Sequence, residues 1–269
     1  MSGPESHVRE EMVKAIKELG LMALEAQAGR LHTRIKQDGT SVTQVDREVE
    51  RALVELLQGL CPQDGVMGEE GGMGRALTGR RLWVIDPIDG TTNFRFGLPI
   101  WALSVGLLEG GVPLWGCVYL PALDWLYLAG RGEGATCNGE PIHPLVRTHL
   151  HAEDILGITS EGVKDWDFQV PAKIRAMGSA AAQACFVASG VYVGYFVERW
   201  HIWDLAAALL VAMESGVRVA DRRGKQLDRF GHIGPEKGPP VLFAAQGVHG
   251  ELLARIHPRA HWHGKDYLD

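Results

Sequence analysis

Two carboxylates directly follow an apolar run in the segment W-V-I-D-P-I-D-G-T-T-N-F, residues 83–94. Asp86 and Asp89 are separated by a proline and an isoleucine, and Gly90 then precedes two threonines. A turn explains a single Asp-Gly pair. Two carboxylates, a glycine and two hydroxyl side chains at the end of a buried strand could instead hold a cation and present backbone N–H groups to an anion.

Acidic residues at two further places complete a possible ligand set. Glu69 and Glu70 lie in a glycine-rich segment that reads alone as a solvated loop, and Asp204 reads alone as a helix N-cap after Trp203. Taken together they suit a hard cation such as Mg²⁺, which prefers oxygen ligands. The sequence shows no set of His and Cys suited to zinc, so we predict a magnesium site.

Composition limits the class of protein that could carry this site. The chain has 269 residues, 46% of them hydrophobic and 22% charged, which is ordinary globular usage and excludes disorder, collagen and a coiled coil. Its formal net charge of −6 argues against a nucleic acid polymer as partner. A small anion bound through a metal remains compatible with that charge.

The cysteines and the apolar runs bear on the compartment. The four cysteines form no Cys-x-x-Cys pair, which favours neither a disulfide framework nor a cysteine zinc site. No run approaches the ~18 apolar residues of a membrane helix, and the first residues are charged where a signal peptide is apolar. We therefore expect a cytoplasmic protein that does not enter a membrane.

Hydrophobic periodicity predicts helices and then a meander in the first half. Apolar residues spaced by three and four from Met12 to Ala26 predict a helix. A second helix should begin after Thr43 as N-cap, with Asp46 completing a capping box. Strand-length apolar runs then predict an antiparallel meander at 82–85, 100–108, 112–120 and 125–129.

The second half alternates strands and helices. Glycines and apolar runs predict strands at 155–159 and 192–197 and near 217 and 241, and helices at 179–189, 204–215 and 252–256. The polar stretch around 140–152 is the one linker candidate, so we place a soft boundary between subdomains 1–145 and 146–269.

These motifs make the chain resemble the inositol monophosphatase family, whose members are Mg²⁺-dependent, typically lithium-sensitive phosphomonoesterases. The likeness spans nearly the whole chain and rests on Gly68-Glu69-Glu70, on residues 83–94, on Trp203-Asp204-Leu205-Ala206-Ala207, and on two further elements, Lys36-x-Asp38-Gly39-Thr40-Ser41-Val42-Thr43-x-x-Asp46 and Gly178-Ser179-Ala180-Ala181. The resemblance implies an α+β fold, a layered α/β/α/β sandwich of the inositol monophosphatase and fructose 1,6-bisphosphatase type. It also implies a homodimer.

The family's site residues can be carried over by position. The implied ligands of two or three Mg²⁺ ions are Glu69, Asp86, Asp89, Asp204 and the Ile88 carbonyl. The implied catalytic residues are Glu69, Thr91 and Asp46, and Lys36 would lie on a loop over the metals. The implied substrate contacts are Ile88, Asp89, Gly90, Thr91, Gly178, Ser179, Ala180 and Asp204.

The implied reaction is hydrolysis of a phosphate monoester by in-line attack of metal-activated water, without a covalent intermediate. Bound cations neutralise the ester and lower the pKa of water from 15.7 toward ~7. A haloacid-dehalogenase-type phosphatase would use the first aspartate as nucleophile, but its pair is Asp-x-Asp, whereas two residues separate Asp86 from Asp89. A metal-binding, phosphatase-like scaffold without turnover is the non-enzyme alternative.

The substrate is less well specified than the chemistry. Relatives that cleave inositol phosphates carry a glutamate seven residues before the Trp-Asp aspartate, where this sequence has Val197. Glu198 would face the opposite side of a strand, and Arg199 and His201 would add cationic contacts. Inositol monophosphate or a similar polyol or sugar phosphate is the first expectation, with fructose 1,6-bisphosphate, 3′-phosphoadenosine 5′-phosphate and histidinol phosphate as alternatives.

Overall fold

A computed structural model describes residues 3–29, 33–35, 41–75 and 80–260. The helices in these ranges are α1 (Ser6–Gln27), α2 (Gln44–Leu60), α3 (Thr91–Arg95), α4 (Ser160–Asp165), α5 (Ala180–Ala188), α6 (Ile202–Ser215) and α7 (His249–Arg255). The strands of the first half are β1 (Thr33–Ile35), β2 (Ser41–Thr43), β3 (Gly65–Gly68), β4 (Gly72–Arg75), β5 (Arg81–Asp89), β6 (Ala102–Glu109), β7 (Val112–Leu120), β8 (Trp125–Gly130), β9 (Gly134–Cys137) and β10 (Glu140–Pro141). Those of the second half are β11 (Ile155–Ile158), β12 (Trp166–Phe168), β13 (Lys173–Arg175), β14 (Gly194–Val197), β15 (Arg218–Asp221), β16 (Val241–Ala244) and β17 (Ile256–Pro258).

The two N-terminal helices form where the sequence predicts them. Helix α1 buries Met12, Ile16 and Ala23 on one face, as the spacing by three and four requires. Helix α2 begins after Thr43, and the capping box with Asp46 is present. Both helices pack against the sheet that follows.

The larger sheet has eight strands in the order β10-β9-β8-β7-β6-β5-β3-β4. Strands β5 to β9 pair antiparallel in sequence, which confirms the predicted meander. Strand β3 was not predicted and lies parallel to β5. Its sequence, G-V-M-G, is too short and too rich in glycine to carry a strand pattern of its own.

Side chains of the larger sheet alternate between two apolar clusters. Leu103, Val105 and Leu107 of β6 pack with the residues of α1 and α2, whereas Ala102 and Leu108 pack with those of α5 and α6. Alternation with a period of two is the property of a strand, so both faces of this sheet are covered by helices.

The smaller sheet has five strands in the order β13-β11-β14-β16-β15. Tyr195, Val197 and Phe243 face α5 and α6, and Phe196 and Leu242 face the opposite side with α7. Helices α5 and α6 therefore lie between the two sheets. The predicted order of layers, α/β/α/β, is confirmed, and α7 covers the outer face of the last sheet.

Several element boundaries differ from the sequence prediction. Helix α7 runs from His249 to Arg255, and Ile256, which was predicted to be helical, begins β17 opposite Phe168. Strand β14 begins only at Gly194. Tertiary pairing decides such boundaries, and periodicity does not reveal it. In the described ranges, no helix combines the length and the apolar character needed to cross a membrane.

His249, at the start of α7, should make stability depend on pH. The residue is 2% exposed, and its Nε2 has no hydrogen-bond partner among the described residues. Burial, assisted by the charge of Arg218, lowers the pKa of the imidazole from 6.5 to about 4. The unfolded chain therefore binds a proton at a higher pH than the folded chain does, and the free energy of unfolding should fall as pH falls from about 6.5 toward 4.

We expect His249→Gln to remove about 2 kcal/mol of that pH dependence between pH 7 and 4.5. Urea unfolding of both proteins across this range measures the difference, because contributions from other groups cancel. Parallel curves for the wild type and the variant would contradict the assignment.

Candidate active site

Strand β5 ends at the two carboxylates of the central motif. Its pairing with β6 shifts register between Asp86, which lies opposite Ser104, and Asp89, which lies opposite Ala102. Residues three apart in a regular strand face opposite sides, so the irregularity lets both side chains enter one site. Both residues are buried.

Glu69 reaches the same place from the neighbouring parallel strand. Gly68, the last residue of β3, lies opposite Ile85, and the Glu69 N–H donates to the Ile85 carbonyl at 3.2 Å. The carboxyl ends of parallel neighbours meet at one edge of a sheet. Glu69 therefore follows its strand beside Asp86.

Glu50 of α2 holds the turn that carries Glu69. Its carboxylate accepts hydrogen bonds from the N–H groups of Glu70 at 2.8 Å and Gly71 at 2.5 Å. Glu50 is 6% exposed. A Cβ at Gly68 would lie 2.3 Å from this carboxyl group and would displace it from its present position.

Asp46 combines its capping role with a contact to the central motif. One of its oxygens, Oδ2, accepts hydrogen bonds from the backbone N–H and the hydroxyl of Thr43. The other, Oδ1, faces the Thr91 hydroxyl at 3.2 Å, and that hydroxyl also lies 3.0 Å from the Ile88 carbonyl. The capping and site contacts of Asp46 thus coexist on different oxygens.

Asp89 links the central motif to the start of α5. Its carboxylate accepts hydrogen bonds from the Ser179 hydroxyl and from the N–H groups of Ala180 at 3.0 Å and Ala181 at 2.8 Å. Ser179 is also the N-cap of the helix, where it accepts from the Ala182 N–H. A carboxylate at a helix N-terminus is stabilised by the free N–H groups and the helix dipole.

Asn93 fixes the turn before α5. Its amide donates to the carbonyls of Ile100 at 2.5 Å and Met177 at 2.6 Å. Gly178, which follows, has φ +76°, and a Cβ there would approach the Asn93 amide to 3.0 Å. The predicted substrate-facing segment 178–180 is therefore held between Asn93 and Asp89.

Asp204 enters the site from the first turn of α6. Its Oδ2 accepts a hydrogen bond from the His201 N–H at 2.8 Å. That bond closes the helix N-terminus, where an acidic side chain is favourable. The prediction of Asp204 as the N-cap was wrong, because α6 begins at Ile202 with His201 as its N-cap and Asp204 occupies the third helical position.

The carboxylates act strongly on one another. Burial, followed by the charges of Glu69, Asp89 and Asp204, raises the pKa of Asp86 well above its usual value. Burial and the charge of Asp89 likewise raise the pKa of Asp204 well above its usual value. Burial also raises the pKa of Asp89 and of Asp46, although their hydrogen bonds oppose it. The four acids expected as metal ligands are thus close enough to disfavour each other's ionised form.

Two features of these carboxylates fit a hard divalent cation: their combined negative charge and one buried oxygen that lacks a hydrogen-bond partner. Asp86 Oδ1 is buried and has no hydrogen-bond partner among the described residues. Among the described residues, no three His, Cys, Asp or Glu side chains lie close enough together to hold a metal ion in their present positions. The carboxylates repel one another at short range. Asp46, Asp89 and Asp204 each direct an oxygen toward a hydrogen-bond donor of the protein.

One expected site residue cannot be placed, and the residue that replaces an expected substrate contact can. Lys36 lies outside the described residues. Val197, which stands where the sequence comparison led us to expect a glutamate, is fully buried in the apolar cluster around α6.

Arg199 and His201 were expected to contact the substrate, but their side chains bind other groups of the protein. Arg199 pairs with the buried Glu198 at 2.9 Å and with Asp165 at 3.2 Å. His201 lies with Nδ1 2.8 Å from the Pro235 carbonyl, and its ring stacks on Trp203.

Three residues near the site were not identified from sequence: Glu50, Asn93 and Lys237. Glu50 lies one helical turn after Asp46, which is a signal that the spacing offered. Asn93 stands inside the central motif. Lys237, whose charge acts on Asp204, comes near it only through the tertiary fold. The charges of Asp89 and Asp204, together with burial, also raise the pKa of the buried Tyr195.

Comparison with known proteins gives consistent matches over most of the chain. A family model described as the inositol monophosphatase family matches residues 5–261. The fructose-1,6-bisphosphatase/inositol-1-monophosphatase of Thermotoga maritima is 36% identical over 258 residues, 91% of this chain and 94% of the relative. The histidinol-phosphatase of Mycobacterium tuberculosis is 36% identical over 245 residues, 85% of this chain and 90% of the relative. The solved structure of a Thermotoga maritima IMPase has a TM-score of 0.79 at 30% identity, covering 91% of this chain and 94% of that chain.

Proposed function

The chain belongs to the inositol monophosphatase family, whose members are phosphatases acting on phosphate monoesters, and from that premise we propose that it hydrolyses inositol monophosphate or a similar polyol or sugar phosphate. The observation that supports this proposal is the mutual electrostatic effect of Glu69, Asp86, Asp89 and Asp204, together with the orphaned Asp86 oxygen. Buried carboxylates with like charge need cations to offset them.

Glu69, Asp86, Asp89, Asp204 and the Ile88 carbonyl would hold the divalent metal cofactor that the family uses. We propose that the cofactor is Mg²⁺, bound as two or three ions, because every donor is an oxygen. When bound, the metal neutralises the phosphate and makes water acidic enough to attack it. Glu69, in the turn that follows β3, would orient that water through its carboxylate.

Thr91 and Asp46 are proposed to move the proton. The Thr91 hydroxyl can accept a hydrogen bond from the attacking water while it donates its own proton toward Asp46 Oδ1, 3.2 Å away. The raised pKa of Asp46 suits it to share a proton. The N–H groups of Gly90 and Thr91, at the start of α3, would bind the phosphate oxygens.

Substrate identity is the finer part of the proposal. The relatives above are named for fructose 1,6-bisphosphate, inositol 1-phosphate and histidinol phosphate. The alternatives to a polyol phosphate are therefore fructose 1,6-bisphosphate and histidinol phosphate, together with 3′-phosphoadenosine 5′-phosphate. Position 197 is a buried valine and therefore supplies no acid to contact inositol. Whole-chain likeness keeps a polyol phosphate first.

Release of inorganic phosphate from a panel of polyol, sugar, nucleotide and amino-alcohol phosphates tests this function. We expect turnover with Mg²⁺, none with EDTA, and inhibition by Li⁺. A folded protein inert on the whole panel with Mg²⁺ would favour the scaffold alternative. An aspartyl-phosphate adduct on Asp86 would overturn the direct attack of water.

The remaining proposals rest on the sequence patterns and, for the homodimer, on the family resemblance. We propose a homodimer that works in the cytoplasm, and a division of the chain into subdomains 1–145 and 146–269. The first subdomain would carry the Glu-Glu and Asp-Pro-Ile-Asp motifs, and the second the Trp-Asp motif and the substrate wall.

Glu50→Gln should weaken metal binding without unfolding the protein. The amide keeps the shape of the side chain but loses the charge and one acceptor oxygen, so the turn at Glu70 and Gly71 is held less firmly. Residues that orient metal ligands typically contribute 10–100-fold to affinity. We expect the Mg²⁺ dissociation constant, measured by calorimetry, to rise about tenfold.

Glu48→Gln provides the matched control for this substitution. Glu48 lies on the same helix but accepts a hydrogen bond from the exposed Gln44 side chain, away from the turn. Equal Mg²⁺ affinities for both variants would show that Glu50 does not position the ligand.

A further inference from the structure

Ser104 of β6 lies directly opposite Asp86 of β5. Directly paired residues of antiparallel strands carry their side chains on the same face of the sheet, with Cβ atoms roughly 4.5–5.5 Å apart. This face is covered by α5 and α6, because Val84 and Ala102, each two positions before one of the pair, belong to the apolar cluster of those helices. The Ser104 side chain therefore stands beside that of Asp86, between the sheet and the two helices.

The fold encloses both side chains of this pair. Ser104 is 1% exposed and Asp86 is 2% exposed. Gly106, the next residue of β6 on the same face, packs against the beginning of α6, since a Cβ there would lie 2.9 Å from the Ala206 Cβ. The helix that carries Asp204 thus covers this part of the strand and keeps bulk water away from Ser104.

Each residue of the pair has a polar atom that is left over. In the part of the chain that the structure describes, neither Ser104 Oγ nor Asp86 Oδ1 has a hydrogen-bond partner. A buried hydroxyl without a partner lowers stability. Ala102 shows that a methyl group fits on the same face two residues earlier, so packing alone gives no reason for a hydroxyl at position 104.

A donor beside Asp86 has a use when that carboxylate holds a cation. An ionised carboxylate has about four lone-pair sites and no donor, so a cation and a hydroxyl proton can share it. The serine hydroxyl supplies one proton and can turn toward the carboxylate by rotation about the Cα–Cβ bond. Groups that hydrogen-bond to a ligating side chain fix its orientation and raise the affinity for the metal.

We propose that Ser104 is a positioning residue, whose hydroxyl donates a hydrogen bond to the Asp86 carboxylate and holds it in the orientation that binds the divalent metal ion. The inference rests on the proposed function and adds a partner to its metal site. Ser104 supplies no metal ligand and touches no substrate. Its effect should therefore appear in metal affinity, with turnover at saturating metal largely kept.

Ser104→Ala should raise the Mg²⁺ dissociation constant, measured by calorimetry, about tenfold. The urea midpoint of the metal-free protein should stay the same or rise, because the variant loses an unpaired buried hydroxyl. In phosphate release, the Mg²⁺ concentration for half-maximal rate should rise about tenfold, while kcat at saturating Mg²⁺ falls less than about threefold. Ser104→Thr keeps the hydroxyl on the same carbon and should bind Mg²⁺ within about threefold of the wild type.

Ser215→Ala is the matched control, because Ser215 is also a buried serine but donates to the Ala212 carbonyl at 2.8 Å, at the far end of α6. It should lower the urea midpoint and leave the Mg²⁺ affinity unchanged.

Three results would overturn the inference. The first is wild-type Mg²⁺ affinity in Ser104→Ala, and the second is a lower urea midpoint of that variant without metal, which would show that the hydroxyl has a structural partner. The third is an equal loss of affinity in Ser104→Ala and Ser104→Thr, which would assign the effect to packing. A wild-type protein that binds no Mg²⁺ and releases no phosphate would instead contradict the proposed function itself.

Discussion

Replacing Asp86 with asparagine should lower kcat/KM for phosphate release by at least about 1000-fold, while the free energy of unfolding stays the same or rises. Asp86 is buried among Glu69, Asp89, Asp204 and Asp46, whose charges all disfavour its ionised form. Asparagine removes one charge from this repulsion and keeps the volume of the side chain. It also removes the carboxylate with the orphaned oxygen, which is the one best placed to bind a cation.

Phosphate release, calorimetric titration with Mg²⁺ and thermal unfolding measure the three consequences on one preparation. The matched control is Asp154→Asn, since Asp154 is 4% exposed but lies outside the site. It accepts hydrogen bonds from Arg147 Nε at 3.0 Å and from the His151 N–H at 2.8 Å. Loss of its charge leaves the arginine poorly paired, which should cost about 1–3 kcal/mol and spare kcat.

The two aspartates should therefore show opposite patterns, with activity lost at one and stability lost at the other. An Asp86→Asn enzyme that keeps more than a tenth of wild-type activity would show that the central motif does not hold the catalytic metal. A marked loss of stability in that variant would show that its carboxylate has a cationic or hydrogen-bonded partner.

Local pattern predicts the elements whose causes are local. The capping box of Thr43 and Asp46 lies within four residues, and the meander is marked by apolar runs between glycine turns, so both were predicted from sequence. Strand β3 depends on its pairing with β5, seventeen positions along from Gly65 to Leu82, and was missed. Ile256 was assigned to a helix because its pairing with Phe168 is not visible in periodicity.

The same division applies to the site. Acidic residues of types and spacings that suit a metal could be identified from sequence, with their roles taken from the family resemblance. The partners that position them could not, because Ser179 meets Asp89 and Glu50 meets Glu70 only when distant segments fold together. Arg199 was expected on the substrate wall, yet the fold pairs it with Asp165. Cations near a site are therefore poor guides to substrate until their partners are known.

Helix α6, which carries Asp204, rests on two facing glycines of the larger sheet. Gly106 of β6 pairs with Gly116 of β7, and both lie on the side of the sheet that faces the helix. A Cβ at Gly116 would lie 2.7 Å from the carbonyl oxygen and 3.0 Å from the Cα of Ala207. These are backbone atoms in the middle of a buried helix and cannot move as a flexible side chain would.

Gly116→Ala should accordingly lower the free energy of unfolding by about 3 kcal/mol. The sign is informative, because Gly→Ala in an unobstructed regular element normally stabilises by about 0.5–1 kcal/mol. Gly59→Ala is the matched control, since Gly59 lies in α2 with no atom within 4 Å of the new Cβ. Urea unfolding of the two variants should therefore give changes of opposite sign.

The displacement that Gly116→Ala forces on α6 also predicts a kinetic effect. Asp204 lies one turn before Ala207, so a shift of the helix away from the sheet moves its carboxylate relative to Asp86 and Asp89. Under conditions where the variant is fully folded, kcat/KM should fall about tenfold, since positioning errors of about 1 Å can cost up to 100-fold. A variant as stable and as active as the wild type would show that the sheet and α6 have room between them, and that the two glycines do not set the depth at which Asp204 enters the site.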